Sequence, residues 1–191
     1  MKEFEEYCPR DKSDWRKWLE KNHQKKEAVW LIFYKKKSPN YNLSWSESVD
    51  EALCFGWIDS VKKTIDAEKF KQYFSKRKAK SNWSRVNKDK VESLMEQGLM
   101  QEQGFKSIEI AKENGSWTLL DEVEALIVPE DLKAAFANFK GSMEFFEGLS
   151  KSAKKSLLYW IVSVKRKETR QKRILEIVEN ARKNRRPKHF R

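Results

Sequence analysis

Trp15, Trp18 and Leu19 recur at helical spacing, the pattern lapses near Asn22, and Ser13 stands where it can cap a short helix. From Ala28 to Lys37 the run AVWLIFYKKK is β-branched and aromatic at both alternating sets of positions, as in a strand buried on both sides. Ser38-Pro39-Asn40 breaks it. Ser44-Trp45-Ser46-Glu47 has the spacing of a capping box, and Val49, Ala52, Leu53 and Phe55 then repeat as a helix face that Gly56 ends. Two strands follow, Trp57 to Ile65 and Lys69 to Lys78, joined around Asp66-Ala67-Glu68 as a hairpin. Strict alternation puts Trp57, Asp59, Val61, Lys63 and Ile65 on one face of the first, and Phe70, Gln72 and Phe74 on one face of the second.

After the hairpin the strand signals stop. Trp83, Val86, Val91 and Leu94 predict a helix stopped by Gly98, and another runs from about Phe105 to Glu113 before Asn114-Gly115. Thr118-Leu119-Leu120-Asp121 has capping-box spacing for a short helix that ends before Val128-Pro129, and Pro129 suits the first turn of a helix through Phe139. Ser150 can cap a helix bearing Leu157, Leu158, Ile161 and Val162, and the last helix carries Ile174, Leu175, Ile177 and Val178. The pattern is α+β: a small, mostly antiparallel sheet with packed helices in the N-terminal half, and a helical C-terminal half. It divides the chain into an α+β region with a hairpin (1–80), a helical region (81–181) and a frayed basic tail (182–191).

Charge changes the picture once it is counted by segment. The 191 residues carry 41 basic and 29 acidic side chains, a net +12. Residues 1–60 are balanced, 61–90 hold eleven basic and three acidic side chains, 91–149 four and twelve, and 150–191 fifteen and three. Two basic stretches thus flank an acidic one, and part of the positive charge can be neutralised within the fold. Aromatics at 13% argue against disorder. Cys8 and Cys54 make no disulfide framework, and Cys54, in an apolar run, reads as a small buried hydrophobe. The N-terminus lacks the apolar core of a signal peptide, and no apolar run approaches the ~20 residues that span a bilayer, so a cytoplasmic protein is expected.

Several strings carry a resemblance. VDEALCFGWIDSVKKTID (Val49–Asp66), RKAKSNWSRVNK (Arg77–Lys88) and NGSWTLLDEVE (Asn114–Glu124) look like the YdeI/OmpD-associated family, and LSKSAKKSLLYWIVSVKRKETRQKRI (Leu149–Ile174) resembles its bacteriocin-protection domain. The likeness is collinear from about Trp15 to about Ala181, and it makes 81–181 the bacteriocin-protection-like region. It implies a bacterial protein associated with antimicrobial or bacteriocin resistance, with no agreed reaction, cofactor or catalytic residue.

The missing chemistry is informative. With His23 and His189 alone, a histidine triad or multi-histidine metal site has little material. GxxxxGK[ST], a strand-borne GxGxxG, HExxH and CxxC are all absent. No cofactor, metal site or catalytic residue is therefore assigned.

Two constellations remain. Glu51, Trp57, Asp59, Ser60 and Lys62 gather at a helix-to-strand junction, with Trp83 downstream; Glu51 and Asp59 could pair in a small cleft for acid–base work. The plainer reading makes Trp57 core and pairs Asp59 with a lysine or a cap. Basic residues form the other. Arg77 and Lys78 leave the hairpin, whose lysines interleave with Phe70, Tyr73, Phe74 and Trp83, and Arg166, Arg170 and Arg173 share a helix face, with Arg185 and Arg186 in the tail. These could grip anions bidentately, or pair with the acidic stretch 91–149. The favoured reading is non-enzymatic binding of an anionic partner: nucleic acid, anionic lipid or an acidic protein surface, with a homo-oligomer compatible. The alternative is a small-molecule enzyme or sensor with a pocket around Glu51, Trp57, Asp59 and Trp83.

Overall fold

A four-stranded sheet forms the heart of the first half of the chain in the computed structural model, which describes residues 4–190. Its strands are β1 (Glu6–Tyr7), β2 (Ala28–Tyr34), β3 (Trp57–Thr64) and β4 (Lys69–Lys76), in the order β1-β2-β4-β3. The β1–β2 pair is parallel, and the other pairs are antiparallel. Val29, Leu31 and Phe33 of β2 face Phe74, Gln72 and Phe70 of β4, and this side carries the core. Helices α1 (Lys12–Asn22), α2 (Trp45–Cys54), α3 (Arg85–Glu96) and α4 (Glu102–Glu113) complete the unit. Trp15, Trp18, Trp57 and Trp83 are buried with them.

The other face of β2 is only half buried: Trp30, Ile32 and Tyr34 remain partly open, so a strand buried on both sides is corrected to one with a single core face. Trp30 packs edge-on against Tyr73 with ring centroids 5.1 Å apart, under the ammonium groups of Lys63 and Lys71. A second correction concerns the hairpin. The register slips between Asp59 and Lys62, so that two residues, Ser60 and Val61, bulge against one. Because side chains alternate, the extra residue reverses the faces beyond it: Lys62 pairs with Gln72 on the core side, and Lys63 pairs with Lys71 on the outer side.

Local capping follows the sequence in part. Ser44 and Glu47 form both halves of a capping box on α2, a device worth about 1 kcal/mol. At α1 the cap is Asp11, whose carboxylate accepts from the backbone N–H of Asp14 at 2.8 Å, and Ser13 lies inside the helix. Two compact units divide the chain, Met1–Trp117 and Thr118–Arg191. After residue 80 the chain stays in the first unit, because Trp83, Val91, Leu94, Ile108 and Ala111 join the core of the sheet.

The second unit is helical: α5 (Asp121–Glu124), α6 (Glu130–Ala137), α7 (Ser142–Glu147), α8 (Lys151–Val162) and α9 (Lys167–Ala181). Leu132, Phe136, Phe146, Leu157, Leu158, Ile161, Ile177 and Val178 form its core. No side chain caps α5, which starts behind Leu120, whereas Ser150 caps α8 through the N–H of Ala153. Val86 and Leu175, expected on buried helix faces, are exposed. The tail is not frayed over the described residues. Pro187 is buried, and Phe190 packs edge-on against Trp160 with centroids 5.3 Å apart. Among the described residues no helix is long and apolar enough to cross a membrane.

Candidate functional site

Two glycines bring α2 and α4 into backbone contact. Gly56 takes φ +70° in the turn from α2 to β3, and a Cβ there would lie 2.7 Å from the Gln103 carbonyl oxygen. A Cβ on Gly104 would lie 2.4 Å from the carbonyl oxygen of Cys54, which accepts from the N–H of Gln101 at 3.0 Å. The Gly56 carbonyl in turn accepts from the backbone N–H of Arg77 at 2.9 Å, so the exit of β4 is fixed to the same turn. Trp57 Nε1 donates to the His23 carbonyl at 3.3 Å and ties in the end of α1.

These four segments enclose an open cavity of about 320 Å³. Its walls are His23 and Gln24, Phe55 to Trp57, Lys76 to Ala79, and Gln103, Lys106, Ser107 and Ile110 of α4. Four of these side chains are basic, Lys76, Arg77, Lys78 and Lys106, and none is a carboxylate. Lys76 pairs with Glu27 at 2.7 Å and Lys106 with Glu102 at 2.6 Å, both beyond the lining, while Lys78 is exposed. His23 Nδ1 lies 2.8 Å from the Leu19 carbonyl, which can only accept, so that nitrogen carries the proton.

Arg77 is the unusual member. Its guanidinium carbon sits 3.6 Å from the centroid of the Trp83 ring, and Nη1 donates to the Asn82 carbonyl at 2.9 Å. Nε and Nη2 are buried, and neither has an acceptor among the described residues. Burial pushes the group down to about 10, against the field of Asp59, which raises it, and it stays cationic at neutral pH.

The expected cleft of paired carboxylates is not assembled. Glu51 is 2% exposed and belongs to α1: Arg16 Nη1 reaches it at 2.7 Å and Lys12 Nζ at 3.4 Å. Asp59 accepts instead from Trp45 Nε1 at 2.8 Å and Gln72 Nε2 at 2.9 Å. Ser60 lends its carbonyl to Gln72 and stands at the bulge. The Lys62 ammonium lies 4.1 Å from the centroid of Phe70, and Trp83 is buried under Arg77. Cys54 is buried, and burial pushes its thiol up to about 11, the opposite of an activated nucleophile. Of these residues only Trp57 reaches the cavity wall, where it meets Arg77 and Lys78 from the basic set.

The remaining arginines lie in the second unit. Arg170 grips Asp131 through Nε at 2.6 Å and Nη2 at 2.9 Å, so a member of the acidic stretch takes it internally. Arg173 donates to the Trp160 carbonyl at 2.5 Å and lies over the indole at 4.9 Å. Arg166, Arg185 and Arg186 are exposed, and Arg185 Nε donates to Asn180 at 3.1 Å. Sequence reasoning missed His23, Gln103, Lys106 and Ser107, which reach the cavity only through packing of distant segments; the glycines at 56 and 104 were the one local sign of a close approach.

Residues 7–107 match a domain of unknown function, DUF8412. The chain belongs to that family. All the cavity-lining residues except Ile110 fall within the DUF8412 stretch. Residues 125–184 match a second family, described as bacteriocin-protection, YdeI or OmpD-associated, and include the Arg170–Asp131 pair. The YdeI/OmpD resemblance thus holds for the C-terminal part, whereas the strings at Val49–Asp66 and Arg77–Lys88 lie within the DUF8412 match. No curated protein and no solved structure gives a significant match. Among the described residues no group of histidine, cysteine, aspartate or glutamate side chains is arranged to hold a metal ion.

Proposed function

We propose that the protein binds a small anionic ligand in the cavity between the α2–β3 turn, the exit of β4 and α4, without carrying out chemistry on it. The observation that carries this reading is the wall itself: Lys76, Arg77, Lys78 and Lys106 all line the space, and among the described residues no carboxylate does. Cations around a concave, low-dielectric surface focus their field on its interior and raise the local concentration of anions. A volume near 320 Å³ suits a metabolite-sized ligand, not a nucleic-acid duplex. Phe55, Trp57 and Ile110 add an apolar side to the wall, which favours a ligand with an apolar body and a charged end. The description of the family matched by residues 125–184 supports a setting in bacteriocin protection for this binding.

Isothermal titration of the full chain with inorganic phosphate and with sodium benzoate, at constant ionic strength, tests the proposal. Saturable binding of at least one of them, weakened about tenfold by the double charge reversal Lys78→Glu, Lys106→Glu, is the expected result. Saturation by neither probe overturns the reading, as does an affinity the double variant leaves unchanged. Binding of a single-stranded oligonucleotide alone, falling steeply with salt, also overturns it and points to a polyanion surface instead.

A further inference from the structure

An antiparallel sheet with helices on one face ordinarily turns polar side chains to the other. Here the outer positions of the two central strands hold Trp30, Ile32 and Tyr34 of β2 and Tyr73 of β4. All four are half-buried, and none belongs to the core on the helical side. Lysines stand among them. The ammonium groups of Lys63 and Lys71 lie 5.0 and 5.1 Å from the centroid of Trp30, and that of Lys69 lies 5.9 Å from the centroid of Tyr34. Exposed Lys35–Lys37 extend this mixture beyond the end of β2, where the Lys35 N–H donates to the Glu68 carbonyl at 2.8 Å beside the hairpin tip.

The start of the chain shows what such a face attracts. Phe4 packs edge-on against Tyr73 with centroids 5.3 Å apart, and Glu6 pairs with Lys71. A ring thus meets a ring and an anion meets an ammonium, on part of the surface only. Lys69 pairs with Asp66 at 3.3 Å, whereas Lys63 has no carboxylate partner among the described residues and rests on the indole.

We propose that this outer face binds single-stranded nucleic acid, with bases against Trp30, Tyr34 and Tyr73 and phosphates on Lys63, Lys71 and the Lys35–Lys37 rim. A single strand carries one ring and one charge in every unit, the mixture the face presents, and every base has a π-face. A duplex keeps its base faces stacked inside and offers only edges and phosphates. Lys63 gives up only a weak ammonium–ring contact when it turns to a phosphate. None of these residues lines the cavity, so this surface stands or falls apart from the small-anion reading.

Fluorescence anisotropy of a labelled oligothymidylate of about fifteen nucleotides, titrated with the full chain at low and at physiological salt, tests the proposal. Saturable binding that weakens with salt is expected, lowered about tenfold by the pair Lys63→Glu, Lys71→Glu and about fivefold by Trp30→Leu. Each variant is compared at an unchanged melting temperature; if the glutamate pair does not fold, Lys63→Gln, Lys71→Gln should still lower affinity about threefold. The cavity pair Lys78→Glu, Lys106→Glu should leave oligonucleotide affinity within about twofold beyond the general effect of its charge, measured against an equally charged Lys21→Glu, Lys25→Glu control. Absence of saturable binding overturns the proposal, as does an affinity that Trp30→Leu and the Lys63, Lys71 pair leave unchanged. A loss confined to the cavity pair also overturns it and places the oligonucleotide elsewhere. Equal affinity for a duplex of the same length, or for polyglutamate, overturns it in favour of a general anion surface or an acidic protein partner.

Discussion

The guanidinium of Arg77 lies 3.6 Å from the ring centroid of Trp83, and that indole, one backbone carbonyl and the field of Asp59 support a buried charge. Buried ions are ordinarily paired, because taking a cation out of water costs several kcal/mol. Among the described residues no carboxylate forms an ion pair with Arg77, and the first prediction concerns that cost. Arg77→Met keeps an unbranched stem under the indole and removes the charge. The variant should melt at or above the wild-type temperature, read by differential scanning calorimetry, while losing benzoate binding. A fall equivalent to more than about 2 kcal/mol would mean that the cation–π contact outweighs the desolvation it accompanies.

The closeness of α2 and α4 makes a second prediction whose sign separates two effects. Gly104 is helical, and alanine there should gain up to about 1 kcal/mol of helix propensity. Its Cβ would stand 2.4 Å from the Cys54 carbonyl, a backbone atom that cannot swing aside. Gly104→Ala should therefore destabilise by about 2 kcal/mol or more, seen as a lower urea midpoint. Gly98→Asn is the control: its φ is positive, but nothing stands within 4 Å of a Cβ, so the change should be within about 1 kcal/mol.

Glu51 serves stability. Its side chain is 3% exposed and is held by Arg16 and Lys12. Glu51→Gln leaves Arg16 facing a neutral partner and should cost about 3 kcal/mol in chemical unfolding. Benzoate affinity should stay within a factor of two in buffer without denaturant. A large loss of binding with little loss of stability would return Glu51 to the site.

Near α1 the pH dependence has a defined direction. Arg10 donates to the Asp14 carboxylate from its side chain and its backbone, which holds that carboxyl down to about 2. Between pH 4 and 2 the unfolded chain then binds more protons than the folded one, so stability rises with pH across that window and is lost as acid is added. Asp14→Asn should flatten this part of the acid unfolding curve followed by tryptophan fluorescence. Tyr7, pushed up to about 12 by burial and by Asp14, acts at the other end. Its contribution is complete below pH 10 and disappears as pH rises towards 12, a limb that Tyr7→Phe should remove.

What the sequence discloses and what it hides differ in range. The capping box of Ser44 and Glu47, the stop at Gly56 and the hairpin from Trp57 to Lys76 are local, and all are legible. The bulge at Ser60 and Val61 is not, because no glycine marks it and its register depends on the partner strand; one extra residue was enough to exchange the faces of Lys62 and Lys63. The short α7 escaped notice because it opens at Gly141, whose φ of +82° starts the helix without a side-chain cap. The basic composition of the tail hides its anchor, the edge-on contact of Phe190 with Trp160. The cavity is less legible still. Arg77 and Lys78 are legible as the basic exit of the hairpin, but the α1 end and the face of α4 that complete the wall lie far away in sequence. The acidic stretch claimed part of the positive charge as charge counting suggested, with Asp131 holding Arg170.

Crystals of the full chain soaked in sodium selenate and in 4-bromobenzoate, with anomalous data collected at the selenium or bromine edge, test the central claim most directly. Anion binding at this wall predicts a peak inside the cavity bounded by Arg77, Lys78 and Lys106. Anomalous peaks confined to exposed arginines such as Arg166 and Arg186, with the cavity holding only water, would contradict it.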